Sequence, residues 1–324
     1  MKKSLLALAV CSAAAGPAAA QSNVTVYGLI NIGLVYSKSD VAPTRWGVDP
    51  GGWWGSRLGF RGSEDLGNGL SVLFQLENGF SPDTGTAGQS GRIFGRQSWV
   101  GLKGDFGTVR FGRSWTPSYC LLTDVIDPFE DGMSGAAESF FGRNVYAVID
   151  IRTQNAIFYA KQVGGLKGEV SYAFGETAGN MSANRQISGA FTYTIGSLKV
   201  AYGYQNNNDA NGTGAAKLRF VGGNYDFGVA KLHFGLDRQQ TDAVGLAPVD
   251  ASDLLVGLTI PAGGGRILAS YNRLNDRSPR NADTAQYALG YTYPLSKRTA
   301  LFTSISHIDP NHANRADWGI RHIF

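Results

Sequence analysis

Cysteine is almost absent from this 324-residue chain, which has only Cys11 and Cys120. With so few, a disulfide framework is excluded and stability has to come from the fold. Proline is sparse at 11 residues, and charged residues make up 17% of the chain. Lysine and arginine are dispersed without a run, and the net charge is only +4, so the electrostatic footprint of a nucleic-acid binder is missing. No apolar stretch of 18 residues follows the N-terminal leader, which excludes a transmembrane helix but not membrane-crossing strands. The sequence has no GxSxG, HExxH, P-loop or dinucleotide fingerprint, and its four histidines (His233, His307, His312, His322) show no metal-ligand spacing. The expectation is a non-enzyme with no cofactor, no metal and no nucleic-acid partner.

What the chain does have begins with "MKKSLLALAVCSAAAGPAAAQ": two lysines, a short apolar run from Leu5 to Val10, and small residues closing at Ala20. This is the pattern of a secretory signal peptide over 1–20, cleaved after Ala20. Across the whole chain glycine is abundant (44 residues), tyrosine and phenylalanine number 14 and 17, and helix-period stripes are scarce, so 21–324 reads as a single all-β domain.

Over 24–36, Val24, Val26, Ile30, Ile32 and Leu34 alternate with Thr25, Tyr27, Asn31 and Gly33. The same period of two returns near 54–63, 70–80, 92–103, 108–114, 152–161, 166–175, 185–194, 198–205, 216–225, 229–239, 252–260, 266–274, 283–293, 299–307 and 316–324. Each segment is about ten residues, the length a tilted strand needs to cross the hydrocarbon layer, and their number, sixteen, is even. Tight connections (64–69, 104–107, 163–165, 195–197, 226–228, 261–265, 294–297) alternate with long polar ones (37–53, 81–91, 115–151, 176–184, 206–215, 240–251, 275–282, 308–315). That alternation describes an up-and-down meander with both termini at the short-turn end.

The apolar faces carry Phe74, Val170, Phe174, Phe191, Tyr202, Leu232, Phe234, Tyr287 and Leu289, with aromatics frequent near strand ends. The opposite faces carry Arg57, Arg61, Arg96, Lys199, Lys217, Arg219, Lys231 and Asp237. Apolar groups outside and charges inside are the pattern of a transmembrane 16-stranded antiparallel β-barrel with a wet lumen. Unpaired backbone groups are not tolerated in lipid, so the sheet must close. The final strand, "DWGIRHIF", keeps its outer face apolar to the end, which marks Phe324 as a membrane-insertion end within the interfacial belt.

The 115–151 connection is long and rich in apolar residues, among them Trp115, Tyr119, Leu121, Leu122, Phe129 and Phe140. A sixteen-stranded barrel is too wide for wall side chains to fill, so this third loop is expected to fold inward and narrow the pore. It carries an acidic set, Asp124, Asp127, Glu130 and Asp131, expected to face a basic set, Arg57, Arg61, Arg96 and Arg152, with Arg110 nearer the tight-turn end. Opposed charges across a constriction create a transverse field that orients solutes and passes small ions. The two sets pull selectivity in opposite directions; anion preference is the expectation.

Together, "VTVYGLINIG", "SRLGFRGSEDLGNGL", "FQLENGF", "FGRQSWVGLKGDFGTVRFGR", "LSKRTALF" and "GIRHIF" closely resemble the general porins of β-proteobacteria. The resemblance implies a homotrimer of sixteen-stranded barrels in the outer membrane, in contact with outer-membrane lipid such as lipopolysaccharide. It also implies a third loop folded into each pore and an arginine cluster facing it, carried here by Arg57, Arg96 and Arg152. The function implied is passive diffusion of ions and small hydrophilic solutes. Two positions depart from the family pattern: Ala156 in "RTQNAIFYA", and Ile323, where a basic residue often precedes the terminal aromatic.

Overall fold

A computed structural model describes residues 23–50, 52–130, 132–137, 151–245 and 247–324. The leader expected over 1–20, Asp131 and the 138–150 part of the long connection lie outside the described residues.

The strands run in chain order as β1 (Asn23–Lys38), β2 (Arg45–Pro50), β3 (Arg57–Gly67), β4 (Leu70–Ser81), β5 (Thr86–Ala87), β6 (Gln97–Gly104), β7 (Gly107–Trp115), β8 (Arg152–Val163) and β9 (Leu166–Ala173). They continue as β10 (Gln186–Ile195), β11 (Leu198–Asn208), β12 (Ala215–Asp226), β13 (Lys231–Thr241), β14 (Val249–Ala262), β15 (Gly265–Asp276), β16 (Thr284–Pro294), β17 (Thr299–Asp309) and β18 (Ala313–Ile323). Of these eighteen, β2 and β5 are short strands within connections; the remaining sixteen form a closed antiparallel barrel. Each neighbour is paired, as an environment without water requires.

Closure occurs at β1. On one side it pairs with β18, Leu29 opposite Ile323 through Lys38 opposite Asn314. On the other it pairs with β3 in its first half and β2 in its second. Phe324 extends this seam: its N–H donates to the Gly28 carbonyl and its carbonyl accepts from the Gly28 N–H, both at 3.0 Å. The Phe324 ring lies over Gly28 so closely that a Cβ there would meet it at 2.3 Å. A terminal aromatic and a side-chain-free partner are therefore one packing unit.

The outward positions are apolar and open: Val24, Val26 and Leu34 on β1, Phe60 on β3, Phe111 on β7, Leu289 on β16. The alternate positions are polar and buried: Asn31, Glu77, Gln205, Gln239, Asn272 and Gln286. This inversion of the soluble pattern is what a lipid-facing barrel requires. The strands run past their expected ends into several connections. The 308–315 loop shrinks to a turn between Asp309 and Ala313, and the 37–53 connection contains β2.

In the long connection, Thr116 caps a short helix α1 (Pro117–Leu121), its hydroxyl accepting from the Tyr119 N–H. A single wide π-turn follows over Leu122–Ile126. Its apolar residues Leu121, Leu122, Val125 and Ile126 pack with Ala137 on Ala216, Leu218 and Phe220 of β12 and Leu255 of β14. Further along, Phe129 and Met133 pack with Trp53, Leu268 and Phe302.

Candidate functional site

The barrel brings three of the four expected arginines together. The Arg57 Nε–H donates to the Gly55 carbonyl at 3.0 Å. A Cβ on Gly55 would lie 3.0 Å from an Arg96 guanidinium nitrogen, so Arg57 and Arg96 meet around one glycine. Arg96 and Arg152 then share the Trp115 ring, with guanidinium carbons 5.2 and 3.4 Å from its centroid, and Trp115 itself stacks on Tyr119. Arg57 in turn lies over Trp54 at 5.1 Å. Stacked guanidinium groups are held in place by their faces.

Arg61 is elsewhere. It shares the inner face of β3 with Arg57 but is four residues nearer the short-turn end, roughly 13 Å along the strand. There it lies over Tyr27 at 5.0 Å. Arg110, also toward that end, lies over Trp99 and Phe158 and pairs with Glu169.

An acid anchors the cluster that the loop was expected to oppose. Glu77 on β4 accepts from the Arg96 Nε–H at 2.8 Å, with both side chains 4% exposed, and its other oxygen accepts from the Tyr27 hydroxyl at 2.8 Å. Glu77 lies on the polar face the alternation had marked, next but one to Gln75.

Arg113 was missed. By alternation it belongs outside with Phe111, but a β-bulge between Gly112 and Ser114 re-aims it, and Gly112 carries the φ of +133° that the kink needs. Its Nε–H donates to the Gly95 carbonyl at 2.8 Å. With Arg92 and Arg152 it lines a vestibule of about 720 Å³ that also includes Asn155, Glu176 and Asn207.

The four loop acids do not act as one set. Asp127 is 3% exposed and accepts from the Phe129 and Ala137 N–H groups at 2.8 and 2.6 Å, so it folds its own loop. Asp124 is exposed and lines a recess with Lys167, Glu169 and Lys199. Glu130 lies by the later strands, accepting from the Trp54 indole N–H at 3.2 Å with Arg266 at 3.6 Å. Asp131 is outside the described residues. Arg321, over Trp53 at 3.6 Å, is a further inner arginine.

The loop is tied to inward-facing side chains by hydrogen bonds. The Ser118 N–H meets Ser188 at 3.2 Å and its hydroxyl meets Gln205 at 2.5 Å. Asn224 donates to the Val125 carbonyl at 2.8 Å, Gln286 donates to the Ser134 carbonyl at 3.0 Å, and the Ser134 and Ser304 hydroxyls lie 2.8 Å apart.

Lys217 and Arg219 differ from expectation: they face outward. On β12 the inner face carries Ala216, Leu218 and Phe220, because the π-turn covers it with apolar groups. The charges are thereby displaced to the outer rim, where Arg219 stands directly opposite Arg238 of β13. There Asp250 accepts from Arg238 at 2.6 Å, with Arg277 at 3.7 Å.

At the rim, two carboxylates tie neighbouring loops. Asp209 accepts from the Val244, Gly212 and Gly214 N–H groups, and the first of these bonds does most to hold its pKa below the ordinary value of 3.8. Asp242, bonded to the Ala215 N–H at 2.7 Å, is lowered in the same way.

Residues 7–313 match the family model described as Gram-negative porin. The chain is 37% identical over 330 residues to outer membrane porin protein 32 of Delftia acidovorans, covering 97% of this chain and 91% of that one. Among solved structures, it resembles the anion-selective porin from Comamonas acidovorans at 30% identity and a TM-score of 0.84, covering 94% of this chain and 100% of that one. It also has the fold of the trimer form of OmpT of Vibrio cholerae, at 17% identity and a TM-score of 0.73, covering 94% of this chain and 99% of that one.

Proposed function

This chain belongs to the Gram-negative porin family and forms a water-filled outer-membrane pore for passive diffusion of ions and small hydrophilic solutes, and we propose that the pore prefers anions because of Arg57, Arg96 and Arg152. The observation that carries this reading is the convergence of the three around Gly55 and Trp115, with Glu77 bonded to Arg96. Arg152 also lines, with Arg92 and Arg113, the adjoining vestibule. Basic groups against low-dielectric walls focus a field that concentrates anions. The solved Comamonas porin of similar sequence bears the description anion-selective, which supports the same sign here.

The segment 115–151 acts as the constriction loop, supported by the contacts of Ser118, Val125 and Ser134 with the inner wall. Glu130 and Asp124 take opposite sides of the passage, so the transverse field is set chiefly by the arginines and not by a single acidic face.

The working form is a homotrimer, as the family relation suggests, and residues 1–20 are removed on export. At the outer rim, the outward Arg219 and Arg238 bind lipopolysaccharide phosphates. Arginine takes phosphate through paired charge-assisted hydrogen bonds, and Arg219 stands opposite Arg238 on the adjacent strand.

The test is single-channel current under a KCl gradient. Wild type is expected to show an anion-side reversal potential, and Arg57→Gln with Arg152→Gln a shift of that potential toward the cation side. An unchanged potential in the double variant would remove the arginines from the selectivity mechanism.

A further inference from the structure

The hairpin tip joining β17 to β18 gathers half of the chain's histidines. His307 Nε2 lies 3.2 Å from Asp309 Oδ1, and His312 Nδ1 lies 3.5 Å from the same oxygen. All three donor atoms fall within 4.8 Å of one another. The tip is at the long-loop end, opposite both termini, so it faces outward from the cell.

The hydrogen bonds around His307 determine which nitrogen is available. Asn314 donates its amide N–H to the His312 carbonyl at 2.8 Å, which fixes the orientation of that amide. Its Oδ1 therefore faces His307 Nδ1 at 2.9 Å as an acceptor, and Nδ1 must carry the proton. The Nε2 edge of the ring is thereby directed at Asp309 Oδ1, and an outer-shell amide orienting a ligating imidazole is the usual companion of a metal site.

We propose that His307, Asp309 and His312 bind a borderline divalent transition cation, Zn²⁺ or Cu²⁺, at the outer mouth of the barrel. Arms of about 2.0–2.2 Å to nitrogen and oxygen put tetrahedral ligand atoms about 3.3–3.5 Å apart, close to the two distances to Asp309. His312, with a side chain 63% exposed at the tip, rotates to close the remaining separation, and water completes the shell. Two imidazoles with a single carboxylate suit these ions and not Mg²⁺ or Ca²⁺, which take oxygen ligands.

The experiment is isothermal titration of ZnCl₂ into the full, untagged, detergent-folded protein at neutral pH, alongside His307→Ala with His312→Ala. One Zn²⁺ per chain is expected, with affinity lost on the order of 100-fold in the double variant and 10- to 100-fold in Asn314→Ala. Nitrogen hyperfine structure from two imidazoles in the Cu²⁺-loaded wild type is the second readout. Unchanged heat-modifiable migration of the variants shows that they have folded. Absence of binding at millimolar Zn²⁺, or equal binding by the folded double variant, overturns the site.

Discussion

The walls from β3 to β8 and from β12 to β18 share one antiparallel ladder, yet they hold their polar groups in opposite ways. In the first, guanidinium groups lie on aromatic faces: Arg57 on Trp54, Arg61 on Tyr27, Arg96 and Arg152 on Trp115. In the second, apart from Arg321 over Trp53, carboxylates and amides are joined edge to edge. Gln239 donates to both Asp237 and Asp253, Asn272 donates to Gln286, and Ser304 donates to Asp317. Stacking fixes a charge through its face. Edge bonding ties donors to acceptors within the wall, and this second wall carries the loop.

The contrast is broken most severely at Glu77. Glu77→Gln leaves Arg96 buried without its counter-charge, a loss of about 3–5 kcal/mol. Reversible urea unfolding measures it; a loss below about 1 kcal/mol would mean that stacking on Trp115 alone holds Arg96. A smaller effect is expected on the loop resting on the second wall. Asp127→Ala deprives the Phe129 and Ala137 N–H groups of their acceptor, worth about 1–3 kcal/mol locally. Hydrogen exchange over 127–137 should rise while global unfolding is unchanged, and protected amides in the variant would contradict this role for Asp127. The smallest effect is at the rim. The folded pKa of Asp209 is depressed, so its contribution is present above the ordinary carboxylate value and disappears as pH falls through the lower folded value. Acid should therefore loosen the turns at 209–214 and 242–245 before the barrel, and exchange rates there that do not change with acid would argue against the tie.

The sixteen crossings were legible because each strand must show lipid one face for some ten residues, which writes a period of two into the sequence. Where the environment changed, the period misled. On β12 the π-turn supplies an apolar lining inside, so Lys217 and Arg219 were assigned to the wrong face. At Arg113 a bulge shifts the alternation by one residue, and no charge pattern announces it. Arg57 and Arg152 occupy inward polar positions on β3 and β8, as the alternation indicated, whereas Arg96 lies just before β6 and joins them over Gly55 and Trp115. The grouping of the loop acids was not, since side-chain direction in an irregular segment is set by tertiary contacts: Asp127 turned to its own backbone and Glu130 toward Arg266. The tip residues His307 and His312 are brought together by strand ends that extend further than the alternation indicated.

The seam between β1 and β18 also bears on timing. Its register joins Leu29 to Ile323, and Phe324 contributes two of its hydrogen bonds. Such a closure carries the largest loop entropy of any strand pairing in the chain. Until it forms, both edge strands are unpaired templates. Phe324 and Gly28 thus lock the two edges to each other and remove the templates that would otherwise pair with neighbouring chains.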